Sequence, residues 1–228
     1  MRYYATASGP LVREAMRAGQ LGMIATPAAG NRVEAGVDWI ADNASYTGHY
    51  PGDDRYLAWL AARTVHRGRC TFATAPDLVG DAAATWARSL PVLPRIRALG
   101  YPAALVAQDG LEHLDIDWSL FDGLFLGGST AWKLGPAAAQ LAAHARALGL
   151  HVHVGRVNSL HRLRYAASIG AHSTDGTYLA YGPRQNLPKL LGWLDQVNTA
   201  SPDSTGQDLG AATAHNRGGP PPAPGTRP

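Results

Sequence analysis

The amino-acid sequence predicts an α/β fold: a compact (β/α)8 barrel of the TIM class, followed by a disordered Pro/Gly-rich C-terminal tail. Short β-rich segments alternate with Ala/Leu/Arg-rich helical segments, which is typical of a parallel sheet with crossover helices. Eight strand-like segments precede residue 177, and several of the following helices end at a glycine. A chain of 228 residues, 46% of them hydrophobic, is long enough to bury one such core.

The strands are predicted from short apolar runs that Gly, Pro, Asp or Asn residues bound. They cover residues 2–7, 21–27, 37–43, 70–76, 102–108, 123–128, 151–156 and 171–176. The segment between the second and third strands has no helical pattern, so the second unit is degenerate. An open doubly wound sheet of five or six strands is the alternative, since 198 residues is short for a closed barrel.

The helices are predicted where helix-forming residues recur up to a Gly or Pro. They cover residues 10–18, 54–66, 136–148, 159–169 and 187–197. A longer helical stretch runs from 81 to a stop at Gly100 and is interrupted at Pro91 and Pro94.

Residues 1–198 are predicted to form one barrel domain without an internal linker. Residues 199–228 contain hardly any large apolar side chains and end in GGPPPAPGTRP. Such a segment cannot bury enough apolar surface to offset the entropy of ordering it, so we expect a disordered tail.

Composition excludes several classes of protein. The longest apolar runs, 102–107 and 124–128, are far shorter than the roughly 20 residues of a membrane helix. No secretory signal is recognisable at the N-terminus, so a cytoplasmic protein without a membrane partner is expected. Cys70 is the single cysteine, which excludes an intrachain disulfide framework and a multi-cysteine zinc site. A net charge of +3 is compatible with a polyanionic partner but does not indicate one.

Carboxylates follow several of the predicted strands, at the end where barrels of this class carry their active sites. Asp42, Asp77 and Asp175 stand at the ends of the third, fourth and eighth strands. A single Asp there is usually a helix cap or turn residue, but several at one rim indicate a site. Paired carboxylates push each other's proton affinities apart, so one can act as a nucleophile while another donates a proton. Cleavage of a glycosidic bond through a covalent sugar intermediate needs that combination.

Three further residues suit recognition of a flat, polar ring. Gln108 carries a donor and an acceptor together, and the backbone of Gly127 and Gly128 lets a ligand edge approach closely. Both features suit the edge of a nucleobase. A tight strand-to-helix turn is the alternative explanation for the glycine pair.

The order of these motifs resembles the tRNA-guanine transglycosylase superfamily. The motifs are ADN (41–43), APD (75–77), VAQDG (106–110), LGGS (126–129), HVGRVNS (153–159) and STDGT (173–177). The chain looks closest to short, zinc-less phage and actinobacterial members described as queuine tRNA-ribosyltransferase-like, which are related to DNA transglycosylases that insert 7-deazaguanines. The resemblance covers roughly residues 1–195.

The resemblance implies a TIM barrel that exchanges guanine in DNA or tRNA for a 7-deazaguanine base without a cofactor. Asp175 matches the nucleophile that attacks the sugar C1′ and expels guanine, and Asp42 matches the general acid/base. Asp77 lies where the family grips the guanine edge, and Gln108 matches the glutamine of its VQGG-like motif. Because members of the family often dimerise, a homodimer is also an expectation.

The other features of the family match this sequence only in part. Gly127 and Gly128 match a Gly-rich stretch whose backbone contacts the base. Larger members bind zinc through three Cys and one His, so with Cys70 alone we expect that zinc site to be absent and do not carry over tRNA specificity. The motif ADNAS also stands in place of DSGGF.

Nucleic acid in such a site requires a flipped-out base and cations near the phosphates. Tyr46, Tyr50 and Trp132 stand in predicted rim loops and are candidates for stacking on a base. Arg156 at the end of the seventh strand is the predicted phosphate ligand. Other cations follow in neighbouring segments: Lys133, Arg162, Arg164 and Arg184.

Two other functions compete with base exchange. His151 and His153 alternate along the seventh strand, which suggests a metal-dependent hydrolase with Asp175 as a third ligand. Both histidines, however, are predicted to lie away from the catalytic rim. The second competitor is a barrel that binds a nucleobase or nucleic acid without turnover.

Overall fold

The structure, a computed structural model, describes residues 1–199 and forms a closed barrel of eight parallel strands. Each strand pairs with the next along the chain, and the last pairs with the first. The strands are β1 (Arg2–Ala5), β2 (Gly22–Ala25), β3 (Trp39–Ala41), β4 (Cys70–Thr74), β5 (Ala103–Ala107), β6 (Gly123–Leu126), β7 (His151–Val154) and β8 (Ser173–Asp175). The predicted (β/α)8 fold is therefore confirmed, and the open sheet is wrong.

Helices surround the barrel. They are α1 (Pro10–Arg17), α2 (Asp53–Ala61), α3 (Ala82–Ser89), α4 (Leu93–Ala98), α5 (Thr130–Lys133), α6 (Pro136–Ala147), α7 (Leu160–Ser168) and α8 (Pro183–Thr199). Residues 26–38, between β2 and β3, form turns and loop rather than a helix, so the second unit is degenerate as predicted.

Polar side chains start several helices directly after the rim loops. The side chains of Asp81, Ser129 and Ser159 accept hydrogen bonds from backbone N–H groups in the first turns of α3, α5 and α7. Each bond satisfies a donor that the helix itself leaves unpaired. These caps fix where the rim loops end.

Some predicted boundaries are wrong. The helix predicted over 54–66 ends at Ala61 and is followed by a 3₁₀ segment, Thr64–Arg69. Pro94 lies in the first turn of α4, where a missing N–H costs nothing, so it begins a helix instead of interrupting one. The last helix begins at Pro183 and includes Thr199, the first residue of the predicted tail. The rest of the predicted disordered tail, 200–228, lies outside the described residues.

The strands separate two apolar regions because successive side chains point to opposite faces. The small interior cluster of the barrel consists of Tyr4, Ile40, Phe72, Ala104, Val106 and Phe125. The larger region lies between the strands and the helices and includes Trp39, Leu105 and Leu126. Within residues 1–199, no helix combines the length and apolar character needed to cross a bilayer.

Candidate active site

A cavity of about 330 Å³ opens at the carboxyl ends of the strands. Asp42, Asp77 and Asp175 all line it, so the structure brings the three predicted acids to one place. The apolar part of its wall comes from Ile24, Val79, Val106 and Phe125. A small apolar cavity with a few converging polar groups is the usual form of a small-molecule site in this fold.

Asp175 is the last residue of β8 and is only 7% exposed. Its Oδ1 accepts a hydrogen bond from the backbone N–H of Arg156 at 2.8 Å, and its Oδ2 lies 3.1 Å from Nε2 of His153. The backbone N–H on Oδ1 favours the charged carboxylate, and the role of His153 at Oδ2 depends on which ring nitrogen carries the hydrogen. Asp175 is thus buried at the edge of the cavity with a nitrogen beside each of its oxygens.

Asp42 directly follows β3 and has a different environment. Its Oδ1 accepts a hydrogen bond from the N–H of Ala44 at 2.8 Å, which closes a tight turn with Ala44 in the left-handed region at φ 67°. Burial raises the pKa of Asp42 to about 7; the Ala44 hydrogen bond opposes this rise, and the charges of Asp175 and Asp77 add to it. With its pKa near 7, Asp42 is protonated in a large fraction of molecules at neutral pH, and that proton is available for donation.

Asp77 is the centre of a buried amide network. Its Oδ1 accepts from Nδ2 of Asn43 at 2.9 Å, and its Oδ2 accepts from Nε2 of Gln108 at 2.7 Å. Oε1 of Gln108 in turn accepts from the N–H of Gly80 at 2.9 Å. Burial raises the pKa of Asp77, and the amide donors oppose that rise. Gln108 therefore orients Asp77 through its amide nitrogen, while its amide oxygen is fixed by the backbone of Gly80.

Gly127 and Gly128 use their backbone groups within the protein. Both N–H groups donate to the carbonyl of Ala107, at 2.9 and 3.1 Å, and both carbonyls accept from Nη2 of Arg156. A Cβ on Gly127 would lie 2.6 Å from Cγ1 of Val106, so the close approach requires glycine there. Of this pair, Gly127 lines the cavity.

Arg156 crosses the mouth of the barrel instead of pointing outward. Its backbone is left-handed at φ 61°, and its guanidinium lies 4.4 Å from the ring centroid of Tyr46. In this arrangement Arg156 covers the rim of the cavity with Tyr46. The glycine carbonyls engage Nη2, so contact with a phosphate, the predicted role of Arg156, would use its Nε or Nη1.

Of the three aromatic residues predicted to stack on a base, Tyr46 lines the cavity and is 61% exposed. Tyr50 donates its hydroxyl to Asp53 at 2.7 Å, and Trp132 donates its indole N–H to Glu112 at 2.9 Å. Neither of these two lines the cavity.

The other predicted cations also have partners elsewhere in the protein. Lys133 is buried and donates to the carbonyl of Gly155; burial, followed by the charge of Arg156, lowers its pKa to about 7. Arg162 donates to the carbonyl of Arg156 at 3.2 Å. Arg164 bonds to Gln196 on α8, and Arg184 lies on the outer side beside α1.

The sequence prediction misplaces His153. The prediction puts it away from the rim, yet its Nε2 contacts Asp175. β7 has only four residues, so His153, its third residue, lies near the rim and meets Asp175 at the end of β8. The alternation of HVH and STD along neighbouring strands was the available signal. Among residues 1–199, no group of three or more His, Cys, Asp or Glu side chains is placed to hold a metal ion.

Asn43 is the other functional side chain that the sequence prediction misses. Asn43 is the last residue of the ADN motif, and its amide donates to both Asp77 and the carbonyl of Ala75, the latter at 2.7 Å. Nothing in the sequence relates position 43 to position 77, since the two meet only when β3 and β4 pair.

No protein-family model and no curated protein sequence matches the chain. A ligand-free tryptophan synthase structure from M. tuberculosis is 16% identical, with 86% of this chain and 90% of that one covered and a TM-score of 0.49. Phosphoribosyl anthranilate isomerase from Thermus thermophilus is 13% identical over 86% and 100%, with a TM-score of 0.49. 3-Hexulose-6-phosphate synthase from Salmonella typhimurium is 12% identical, with 86% of this chain and 100% of that one covered and a TM-score of 0.46. The chain spans 65% of a further tryptophan synthase chain.

Proposed function

We propose that this chain is a base-exchange transglycosylase that replaces guanine in DNA or tRNA with a 7-deazaguanine derivative. The observation that carries the proposal is the pairing of two unlike acids in one cavity. The backbone N–H of Arg156 and the ring of His153 lie against the two oxygens of Asp175 and favour its charged form, whereas Asp42 is partly protonated near neutral pH. Double displacement at a sugar carbon needs one acid of each kind.

In the first half-reaction, a carboxylate oxygen of Asp175 attacks C1′ of the sugar. The bond between C1′ and the guanine nitrogen breaks, and its electron pair leaves with the base. Asp42 donates its proton to the departing guanine, which leaves as the neutral base. The products are a sugar ester on Asp175 and a charged Asp42.

In the second half-reaction, the incoming base takes the place of guanine. Charged Asp42 accepts the proton from its ring nitrogen, that nitrogen bonds to C1′, and the bond between C1′ and Asp175 breaks. Both acids return to their starting states. The apolar wall formed by residues such as Val106 and Phe125 limits water, which would otherwise hydrolyse the ester.

Asp77 supports recognition of the base. The amides of Asn43 and Gln108 occupy two of the roughly four acceptor sites of its carboxylate, and the residue lines the cavity. A guanine-type edge presents adjacent N–H donors, which suit the remaining sites. The cavity volume of about 330 Å³ is near the lower end of small-molecule sites, roughly 300–1,000 Å³, and suits one flipped base.

The order of the rim motifs, which resembles the tRNA-guanine transglycosylase superfamily, supports the same proposal. To test the proposal, the protein is incubated with duplex DNA or tRNA and candidate 7-deazaguanine bases. The nucleic acid is then digested to nucleosides, which are identified by mass spectrometry. We expect a 7-deazaguanine nucleoside in one acceptor. Asp175→Asn should abolish the product, and Asp115→Asn, at an exposed aspartate, should not.

Two other results would each contradict base exchange. Free guanine together with abasic sites, formed without incorporation, would indicate hydrolysis. Tight binding of nucleic acid without any product would indicate a non-catalytic binding barrel.

A further inference from the structure

Four polar side chains form a line along one inner wall of the barrel. His151 and His153 point inward from β7, and Ser173 and Asp175 point inward from β8. The register places His153 beside Ser173. Because inward positions alternate on each strand, the four side chains follow one another from the amino-terminal end of the barrel to the cavity.

The spacing makes this line a continuous hydrogen-bonded chain. Nε2 of His151 lies 2.7 Å from Oγ of Ser173, which lies 2.8 Å from Nδ1 of His153. Nε2 of His153 lies 3.1 Å from Oδ2 of Asp175. Each separation is within hydrogen-bonding distance.

The surroundings of the chain are apolar. His153 is 0% exposed and Ser173 is 1% exposed. The ring of Phe125 lies 4.5 Å from the ring of His153 between centroids, and Phe72 lies edge-on to it at 5.3 Å. Water cannot replace these hydrogen bonds easily, so the bonding pattern of the chain decides the hydrogen positions.

One set of hydrogen positions satisfies every bond when Asp175 is charged and His153 is neutral. Nε2 of His153 must then donate, so its Nδ1 accepts the hydroxyl proton of Ser173, and Ser173 accepts from Nε2–H of His151. Both histidines are neutral in this arrangement. Burial first, then the charges of His153 and His172, lower the pKa of His151 to about 3, which agrees with a neutral ring.

We propose that Ser173 and His151 are positioning residues that fix His153 in the tautomer with hydrogen on Nε2, so that His153 holds Asp175 charged and oriented toward the cavity. The contribution to turnover rests on the proposed base exchange, but the tautomer itself does not. Without the Ser173 hydroxyl, Nδ1 of His153 loses its donor, so Asp175 alone favours hydrogen on Nε2 and the preference for that tautomer is smaller. A ring with hydrogen on Nδ1 no longer donates to Asp175.

The test combines NMR of protein labelled with ¹⁵N-histidine and kinetics of base exchange. In the unaltered protein we expect His153 to carry its hydrogen on Nε2. In Ser173→Ala we expect a second tautomer to appear and kcat to fall at least about tenfold, with KM little changed, since a wrong tautomer impairs the catalytic step more than binding. Ser173→Thr keeps a hydroxyl and should restore both readouts.

Thr174→Val is the matched control. Thr174 lies on the same strand, is fully buried and points away from the barrel interior, and its Oγ1 has no hydrogen-bond partner within residues 1–199. Removing this hydroxyl should change neither the tautomer nor kcat. Should Ser173→Ala fail to fold, Ser173→Cys gives the same test, because a thiol is a weak donor.

A His153 ring with hydrogen on Nδ1 in the unaltered protein would overturn the proposal, as would a tautomer that Ser173→Ala leaves unchanged. Unchanged kcat in Ser173→Ala despite a changed tautomer would refute the role in positioning. The expected NMR result without any exchange product from the unaltered protein would refute base exchange instead and leave the tautomer assignment in place.

Discussion

Asp42→Asn should make the protein more stable at alkaline pH while it removes the proton donor of the site. A neutral amide retains an oxygen for the N–H of Ala44, which bonds to Asp42 Oδ1 at 2.8 Å. The substitution eliminates the buried charge that Asp42 acquires when it loses its proton. A functional carboxyl kept in a poorly solvated place lowers stability in this way.

The size of the effect follows from the pKa of Asp42, which rises from 3.8 to about 7 in the folded protein, chiefly through burial. Each pH unit corresponds to roughly 1.4 kcal/mol, so the charged form lowers the free energy of unfolding by about 4 kcal/mol. Solvent in the cavity reaches part of the side chain and reduces this figure to about 2 to 4 kcal/mol.

The upward direction of the Asp42 pKa shift sets the pH range over which Asp42 affects stability. Between pH 3.8 and about 7, the unfolded chain releases the Asp42 proton while the folded protein keeps it. Stability therefore falls with rising pH across this window and is constant, as far as Asp42 is concerned, above it. The Asp42→Asn variant lacks this dependence, so its advantage grows by about 1 to 3 kcal/mol between about pH 5 and pH 8.

Urea denaturation of both proteins at the two pH values measures this difference, because contributions from groups that do not interact with Asp42 cancel. Asp115→Asn is the matched control, since Asp115 is exposed and its removal should give a difference of about 0.5 kcal/mol or less at both pH values. An Asp42→Asn advantage that does not change with pH, or a variant less stable at pH 8 than the unaltered protein, would refute the assignment of Asp42 as the protonated acid.

Three further predictions concern the same cavity. The rate of sugar-ester formation should fall as pH rises through about 7, where Asp42 loses the proton that it donates. Single-turnover experiments across this pH range measure that rate, and a rate that does not change with pH contradicts the prediction. Gln108→Leu should lower stability by about 1 to 3 kcal/mol in urea denaturation, because a buried carboxylate loses its donor; Gln140→Leu, at an exposed site, is the control. Tyr46→Ala should weaken nucleic-acid binding by about 1 to 3 kcal/mol, measured by fluorescence anisotropy, if bases stack on this ring. Tyr181 is 77% exposed and does not line the cavity, so Tyr181→Ala should leave binding unchanged.

The fold was predictable because its signals are local. Each strand of the barrel is a short apolar run, and its neighbour in the sheet is the next such run in the sequence. The start of α8 was not predictable in this way, because Pro188 resembles a helix start although it lies inside the helix. The first turns of α8 lie beside α1, where Pro10 and Leu187 line one groove, and no local sequence signal reports that neighbourhood.

The acids of the site were also predictable, since Asp42 and Asp77 follow strands and the strands of a barrel end at one rim. Their partners were not. The bonds from Asn43 and Gln108 to Asp77 join positions more than 30 residues apart and depend on side-chain rotamers. The inward turn of Arg156 depends on its left-handed backbone and on Tyr46 from a loop on another part of the rim.

The covalent intermediate provides the most direct test of the central claim. The protein is incubated with guanine-containing DNA or tRNA in the absence of an incoming base, quenched, digested with nuclease and protease, and analysed by mass spectrometry. We predict a sugar adduct on the peptide that contains Asp175, formed with release of free guanine and lost when a 7-deazaguanine base is added. An unmodified Asp175 peptide alongside released guanine, or an adduct on another residue, would contradict the account.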